Sequence, residues 1–573
     1  MTNVKLRNWA SLVSLMIAVV LVLSACSGNS GGNKKDAAGG GGANPAPVAN
    51  EDKFNPVGQY PIVKEQLKLK MFAPQYASIE NMETNLFTKW TEEKTNIKIV
   101  WDLVPDNALN DRKQLMLASG DYPEVIWHGN LTKEEQMKYG KQGAFLPLNE
   151  LIEKYAPNIK QAMNDIPYLK SSITSPDGNI YALPQVNECY HCDNALKMWI
   201  NKAWLDKLGL KVPTTTEEFY EVMKAFKERD PNGNGKQDEI PLTGSDEMWT
   251  GNVAAFLMNA FIVDDYTEKT AGTFLRVVND KVEFVANTAE WQEGLAYLHK
   301  LYKEGLIDPA AFTQNADAIQ QVANREGDNI MGALSTALLS YAYPMNDTTP
   351  RHKDYVVVPP LKGPKGVQQT LFFGGINNSQ FAITNKATED QQIAAIRLAD
   401  LMYTEEAITL QENGPEGKGW RKAEAGELDV NGNQAKYAHI VDPNPPPTHN
   451  NGWEQIGPSL RTYEYRGSWA ELVQDPLAEG GYGKRLNDVS KEYEAFHSKE
   501  QYPNGLFIAL EDADLSAQIK TTLVEYVKSN MAQFITGSKD VEKDWDSYIK
   551  GLEGMQLSQY LEIYQKAYDG SKQ

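Results

Sequence analysis

A single apolar run near the N-terminus decides where the rest of this chain can fold. Lys5 and Arg7 precede a run from Trp9 to Leu23, and Leu23-Ser24-Ala25-Cys26 closes it. Basic, then apolar, then small is the order of a secretory signal. The run is short for a permanent membrane span, which needs about 20 apolar residues. The remainder is therefore expected to fold outside the reducing cytosol. With 573 residues in all, it is also too long for one hydrophobic core, so two or more lobes are expected. Apolar residues at 41% and charged residues at 23% are those of an ordinary globular protein and exclude disorder over the whole length. A formal net charge of -20 excludes nucleic-acid binding as a function class, because that binding depends on Lys and Arg neutralising phosphates.

The small residues before Cys26 resemble the lipobox of bacterial lipoproteins, in which this cysteine becomes the lipidated first residue of the mature chain. The resemblance implies acyl anchoring at Cys26, palmitate included, on the extracellular face of the cell membrane. An ordinary cleaved signal with a chance cysteine is the alternative. Residues 27–50 hold Gly, Ser, Asn, Ala and Pro with no apolar pattern, so residues 27–65 are expected to be a flexible tether after a signal peptide at 1–26. Gly28-Asn29-Ser30-Gly31-Gly32 matches the hydrolase nucleophile elbow in letters only, since that motif needs a strand before it and a helix after it. Cys189 and Cys192 are the two remaining cysteines. A disulfide, unpaired thiols, and a metal or redox pair all stay open for them. A zinc site would want two more ligands, and no second Cys or His cluster is visible.

"LKLKMFAP" (67–74) alternates like a strand, 79–94 carry a helical period, and "IKIVWDLVP" (97–105) returns to strand. Strand, helix, strand begins a parallel α/β layer. Residues 111–127 repeat the unit as helix, turn and buried strand. Further helices are predicted over 144–163, 214–230 and 288–308, and from Asp512 onward, with 195–210 opening a further α/β stretch; Thr before Glu-Glu suits the start of the 214–230 helix. "YVVVPPL" (355–361) reads as a strand, and 413–470 as loop-rich. "DPNGNGKQDEI" (230–240) places Asp230, Asn232 and Asn234 at alternate positions, a Gly at the sixth for the sharp turn, the Lys236 carbonyl at the seventh, and Asp238 and Glu239 at the ninth and tenth. Oxygen donors so spaced suit a hard cation such as calcium, although the twelfth position, a Glu in an EF-hand, is Pro241. A plain Asn/Gly surface turn is the alternative.

The lipobox and tether, "LASGDYPEVIW", "GAFLPLNELIEKYAP", "DGNIYALP", "MWINKAWLDKLGLKVPTT", "AAIRLADLMYTEEAITLQENGPEGKGW" and the C-terminal "FITGSKDVEKDWDSYIKGLEGMQLSQYLEIYQKAYD", in this order, resemble the family 1 extracellular solute-binding proteins, the substrate receptors of ABC importers. The match covers nearly all of the mature chain. It implies an α/β, two-lobe periplasmic-binding-protein-like fold with hinge crossovers near 188–194, 355 and 415. Lobe 1 would then hold 66–190 and 355–415, and lobe 2 would hold 191–354 and 416–573. The resemblance also implies a monomer that binds a solute without chemistry and works with transmembrane permease subunits. Within the family, the 230–240 loop looks like the calcium loop of the alginate-binding receptors, which makes calcium structural.

Sugars offer apolar ring faces bordered by hydroxyls, so receptors set aromatic platforms beside polar groups in a concave site. The candidates are Trp127, Tyr190, Trp249, Trp420, Trp453 and Trp469, with Arg461, Arg421 and Arg466 available to pair an acidic sugar. Asp121 and His128 flank the same first-lobe loop. Trp204, Trp291 and Trp545 lie in helical patterns and read as packing. The expectation is a lipid-anchored receptor that captures an oligosaccharide for an importer. The alternatives are a membrane-tethered glycosidase or lyase, for which two carboxylates across a cleft would suffice, and a receptor for a peptide or another polar solute. Neither an HExxH motif nor a P-loop is present.

Overall fold

The computed structural model describes residues 51–265, 272–441 and 446–572. The predicted export signal, Cys26 and the predicted tether up to residue 50 lie outside the described residues. No helix among the described residues is long and apolar enough to cross a membrane.

In chain order the strands are β1 (Leu67–Gln75), β2 (Ile97–Pro105), β3 (Val125–Leu131), β4 (Leu183–Asn187), β5 (Met198–Asn201), β6 (Ile240–Thr243), β7 (Leu275–Val278), β8 (Lys281–Phe284), β9 (Met331–Ser335), β10 (Tyr355–Val358), β11 (Ile376–Ile383), β12 (Trp420–Lys422), β13 (Tyr437–His439) and β14 (Ser459–Arg461). A six-stranded sheet has the order β14-β4-β11-β3-β1-β2, and a four-stranded sheet the order β10-β5-β9-β6. In the first, β1 runs parallel to both neighbours, with Leu67 opposite Ile97, and β11 runs antiparallel between β3 and β4. Six of the seven residues of β3 are buried, as expected of a central strand covered on both faces.

Each sheet has its own core. Leu69, Trp127, Phe381, Ile396 and Trp453 belong to the first, and Trp204, Phe226, Trp291, Leu298, Phe534 and Tyr560 to the second. Two cores are what a chain of this length needs once one apolar interior stops growing. The architecture is the predicted α/β, two-lobe class. Helix starts follow local chemistry: Thr215 and Glu218 form a capping box that opens the helix Thr216–Glu228, close to the predicted start. The C-terminal helices Leu510–Thr536, Trp545–Gly554 and Leu557–Gly570 pack on the second core.

Two expectations about segments differ from what is seen. The chain is already packed from Phe54, well before the predicted tether end at residue 65: Phe54, Ile62 and Val63 are buried in the first core. There the Arg397 guanidinium donates to the carbonyls of Asn55, Pro56 and Gln59 at 2.7, 3.0 and 3.1 Å. In addition, β10 pairs with β5 in the second sheet and β14 with β4 in the first, each across from the lobe predicted for its segment. Strands of three or four residues carry too little pattern to name a partner; the sheet edge that accepts them does.

Candidate functional site

The ends of β3, β4 and β14 gather polar and aromatic groups at one end of the first sheet. At the end of β3, His128 and Asn130 have φ of 65° and 46°, which turns their side chains out of the strand alternation. The Gly457 N–H donates to His128 Nδ1 at 2.9 Å, so the ring proton sits on Nε2, 3.0 Å from the Tyr76 hydroxyl. Burial, with the Arg461 charge adding to it, pushes the imidazole down to about 4, so His128 is neutral at neutral pH.

Beyond β4, a disulfide joins Cys189 and Cys192 around the short helical turn Tyr190–Asp193. Asp193 is 1% exposed. It accepts from the Cys189 N–H at 3.0 Å and from the Tyr463 hydroxyl at 2.6 Å. Burial raises its pKa, and these donors counter the rise. The Tyr463 ring stacks on Tyr190 with centroids 4.3 Å apart, and its N–H donates to Glu188 at 3.2 Å. Arg466 donates to Asn187 Oδ1 at 2.8 Å. The aromatic pair and the carboxylate are thereby held by both flanking strands.

A cavity of about 640 Å³ opens beside them. Asn187, Cys192 and Asp193, Gly375 and Ile376 at the start of β11, and Trp249, Asp265, Thr273, Tyr502 and Lys520 line it together. Trp249, Phe373, Tyr502 and Tyr564 all line it, so apolar ring faces and hydrogen-bonding groups share one concave surface. A wider opening of about 1220 Å³ lies between Pro167–Gly178 and Leu561–Ser571, but its lining holds one aromatic residue, Phe507. For a ligand with hydroxyls and ring faces, the smaller cavity is the better match.

Of the predicted ligand residues, Trp249 lines this cavity, and Tyr190 stands beside it through Tyr463. Trp127 and Trp453 do not fit the predicted role: both are 0% exposed, pack edge-to-face at 5.9 Å, and donate their indole N–H to Ile456 O at 3.3 Å and Thr88 Oγ1 at 2.7 Å. They are core residues whose polar atoms are satisfied internally. Trp420 is buried with its N–H on Gly414 O at 2.8 Å. Trp469 stacks on His439 at 4.2 Å. These two belong to an aromatic cluster around β12 and β13 that lines neither cavity. Arg461 is 1% exposed and pairs with Glu412 at 2.9 Å, and Arg421 grips Glu427 in a two-point pair at 2.7 and 2.6 Å. Asp121 is exposed. Asp193, Asp265, Phe373, Tyr463, Tyr502 and Lys520 were not singled out from the sequence. Only Asp193, next to the Cys-Tyr-His-Cys turn, carried a local signal.

The 230–240 loop has the predicted turn. Asp230 Oδ1 accepts from the Gly233 and Asn234 N–H groups at 2.9 and 3.1 Å, and its Oδ2 from Gly235 at 3.0 Å. The Asn232 and Asn234 side-chain oxygens accept from backbone N–H groups at 3.0 and 2.8 Å. Gly235 takes φ of 76°, available to glycine without strain. Both carboxylate oxygens of Glu239 are buried with no donor in hydrogen-bonding geometry. Burial raises its pKa; the nearby backbone of Glu239 and Asn232 counters the rise, and the charges of Asp230 and Asp238 add to it. A buried carboxylate without a donor beside two more carboxylates fits an oxygen-ligated cation; the residues that would hold it are Asp230, Asn232, Asn234, the Lys236 carbonyl, Asp238 and Glu239. Among the described residues, Cys189, His191 and Cys192 bring soft ligand atoms within 4.8 Å of one another, but the sulfurs are spent on the disulfide and offer no thiolate.

Residues 76–409 match the model of a family described as bacterial extracellular solute-binding protein. The fructooligosaccharide ABC transporter substrate-binding protein FusA of Streptococcus pneumoniae is 28% identical over 89% of this chain and 91% of its own length. Its structure in complex with kestose superimposes with a TM-score of 0.65 at 26% identity, covering 88% of this chain and 99% of that one. A further structure is of a FusA EF-hand mutant with fructo-nystose. An extracellular solute-binding protein from Bifidobacterium longum subsp. infantis gives a TM-score of 0.71 at 26% identity, over 89% of this chain and 99% of its own.

Proposed function

The chain belongs to the bacterial extracellular solute-binding protein family, and from that premise we propose that it is a receptor that captures an oligosaccharide between its lobes and delivers it to the permease of an ABC importer. The observation that carries the reading is the cavity of about 640 Å³, lined together by Asn187 at the end of β4, Asp193 in the turn after it, Trp249 and Tyr502. A pyranose or furanose ring stacked on Trp249 would present its edge hydroxyls to the polar groups of the cavity. Because Asn187 comes from the first sheet and Trp249 from beside the second, a ligand that contacts both would favour the closed arrangement. Lipid at Cys26 would keep the receptor beside its transporter.

In the same reading, calcium in the 230–240 loop is a structural clip: it would neutralise Asp230, Asp238 and Glu239 and pin the segment joining the helix Thr216–Glu228 to β6. The cation takes no part in sugar binding, since none of its candidate ligands lines the cavity. Calorimetry of the purified protein against oligosaccharides, with the sugars recovered and run on a chromatograph, tests the function. Saturable binding with unchanged sugar supports a receptor. Cleaved or rearranged sugar would overturn it in favour of an enzyme.

A further inference from the structure

The proposed receptor reading leaves the charge of the sugar open, and the cavity walls bear on it. Three carboxylates line the cavity, Glu134, Asp193 and Asp265, against one cation, Lys520. Two of the three are locked in place. Asp193 holds the Cys189 N–H and the Tyr463 hydroxyl. Asp265 accepts from the Thr273 N–H and hydroxyl at 2.7 and 2.6 Å and from the Phe274 N–H at 2.8 Å. Donors so placed fix the direction in which each carboxylate presents its oxygens.

Lys520 does not redress the balance. It is half-buried on the helix Leu510–Thr536, and burial lowers its pKa while Asp265 and Glu134 oppose the shift. The charges that act on its ammonium are those of two acids of the same cavity, Asp265 and Glu134. An acidic sugar calls for an arginine fork on its carboxylate, and the three arginines the sequence offered for that role are engaged elsewhere. Arg461 is paired with Glu412, Arg421 with Glu427, and Arg466 donates to Asn187; none of the three lines the cavity.

We infer, on the basis of the receptor reading, that this cavity selects uncharged oligosaccharides, taking their hydroxyl protons on fixed carboxylates and their ring faces on Trp249 and Phe373, and rejects chains of uronic acids. Hydroxyl donation to a charged acceptor is the stronger kind of hydrogen bond. A sugar carboxylate brought to within about 5 Å of one of these acids, at an effective dielectric of about 20, loses on the order of a hundredfold in affinity.

The test uses probes matched except in charge. Trigalacturonate and its fully methyl-esterified form, with neutral trisaccharides including kestose, are titrated by calorimetry into the purified protein. Binding of a neutral trisaccharide or the ester, with the free acid at least about tenfold weaker, is the expected result. Tighter binding of the free acid than of any neutral probe overturns the charge inference and leaves the receptor standing. Binding by no member of either set overturns the oligosaccharide reading and this inference with it. A pair of variants gives a second readout. Glu134 is on the exposed start of its helix, so Glu134→Lys should leave the fold intact and raise affinity for trigalacturonate about tenfold or more. No gain there, together with loss of acid binding in Lys520→Gln, would make Lys520 an anion site and refute the inference.

Discussion

His128 donates from Nε2 and accepts at Nδ1 from a backbone N–H, so a second proton has to displace the Gly457 contact. Its pKa of about 4 in the folded state lies below the ordinary value near 6.5 of an unfolded chain. Above pH 6.5 both states are neutral and the full stability is present. As pH falls from 6.5 toward 4, the unfolded chain takes up a proton that the folded one refuses, and stability drops by up to about 1.4 kcal/mol per pH unit. Glu188 and Asp193, whose pKa values burial raises, act in the opposite sense, so the useful quantity is a difference. His128→Gln, which can still accept from Gly457, should lose less melting temperature than the parent between pH 6.5 and 4.5. Equal losses would place the proton uptake elsewhere.

The tryptophans divide at the same scale. Trp453→Ala removes a buried ring and should destabilise by about 3–5 kcal/mol, read from denaturant unfolding. Trp249→Ala should leave unfolding nearly unchanged while weakening sugar binding about tenfold or more in calorimetry, as truncating an aromatic anchor does. The reverse pattern would exchange their roles. Sequence treated the two alike because both follow loop-like stretches, and burial is not a property of a neighbourhood of letters.

At the scale of elements, short-range chemistry was legible. Thr215 with Glu218 forms a capping box as the sequence implied, and Thr215→Ala should cost about 1 kcal/mol. The 230–240 loop was legible too, because its oxygen donors sit at fixed offsets along the chain. If calcium occupies it, chelator should lower the melting temperature and added calcium should restore it, by the linkage of any ligand to the folded state. Asp230→Ala should remove that calcium response and leave sugar affinity within about threefold; an unchanged response would move the cation to another site. The strands β10 and β14 were not legible. Each is three or four residues long, and its place is set by hydrogen bonds to β5 and β4 from far along the chain.

For the whole molecule, the lining of one cavity by Asn187, at the end of β4 in the first sheet, and by Trp249, after β6 of the second sheet, has a mechanical consequence. Saturating sugar should compact the protein, seen as a smaller radius of gyration in solution scattering, and Trp249→Ala should weaken that response in proportion to affinity. Binding without any change in radius would mean that the lobes are already fixed in the closed arrangement. What the sequence by itself determined was whatever is written in nearest neighbours and in order: the α/β class from alternating strand and helix periods, the need for two cores from length, the tight 230–240 turn from the spacing of its Asp, Asn and Gly residues, and the family from motifs in series. What only the tertiary structure decided was which side chains share a space. The packed segment from Phe54, the burial of Trp127 and Trp453, the internal pairing of Arg461 and Arg421, and the meeting of Asp193, Trp249 and Lys520 around one cavity all depend on contacts between residues far apart in the chain. Local propensity does not encode such contacts; the burial of two cores and the pairing of sheet edges impose them.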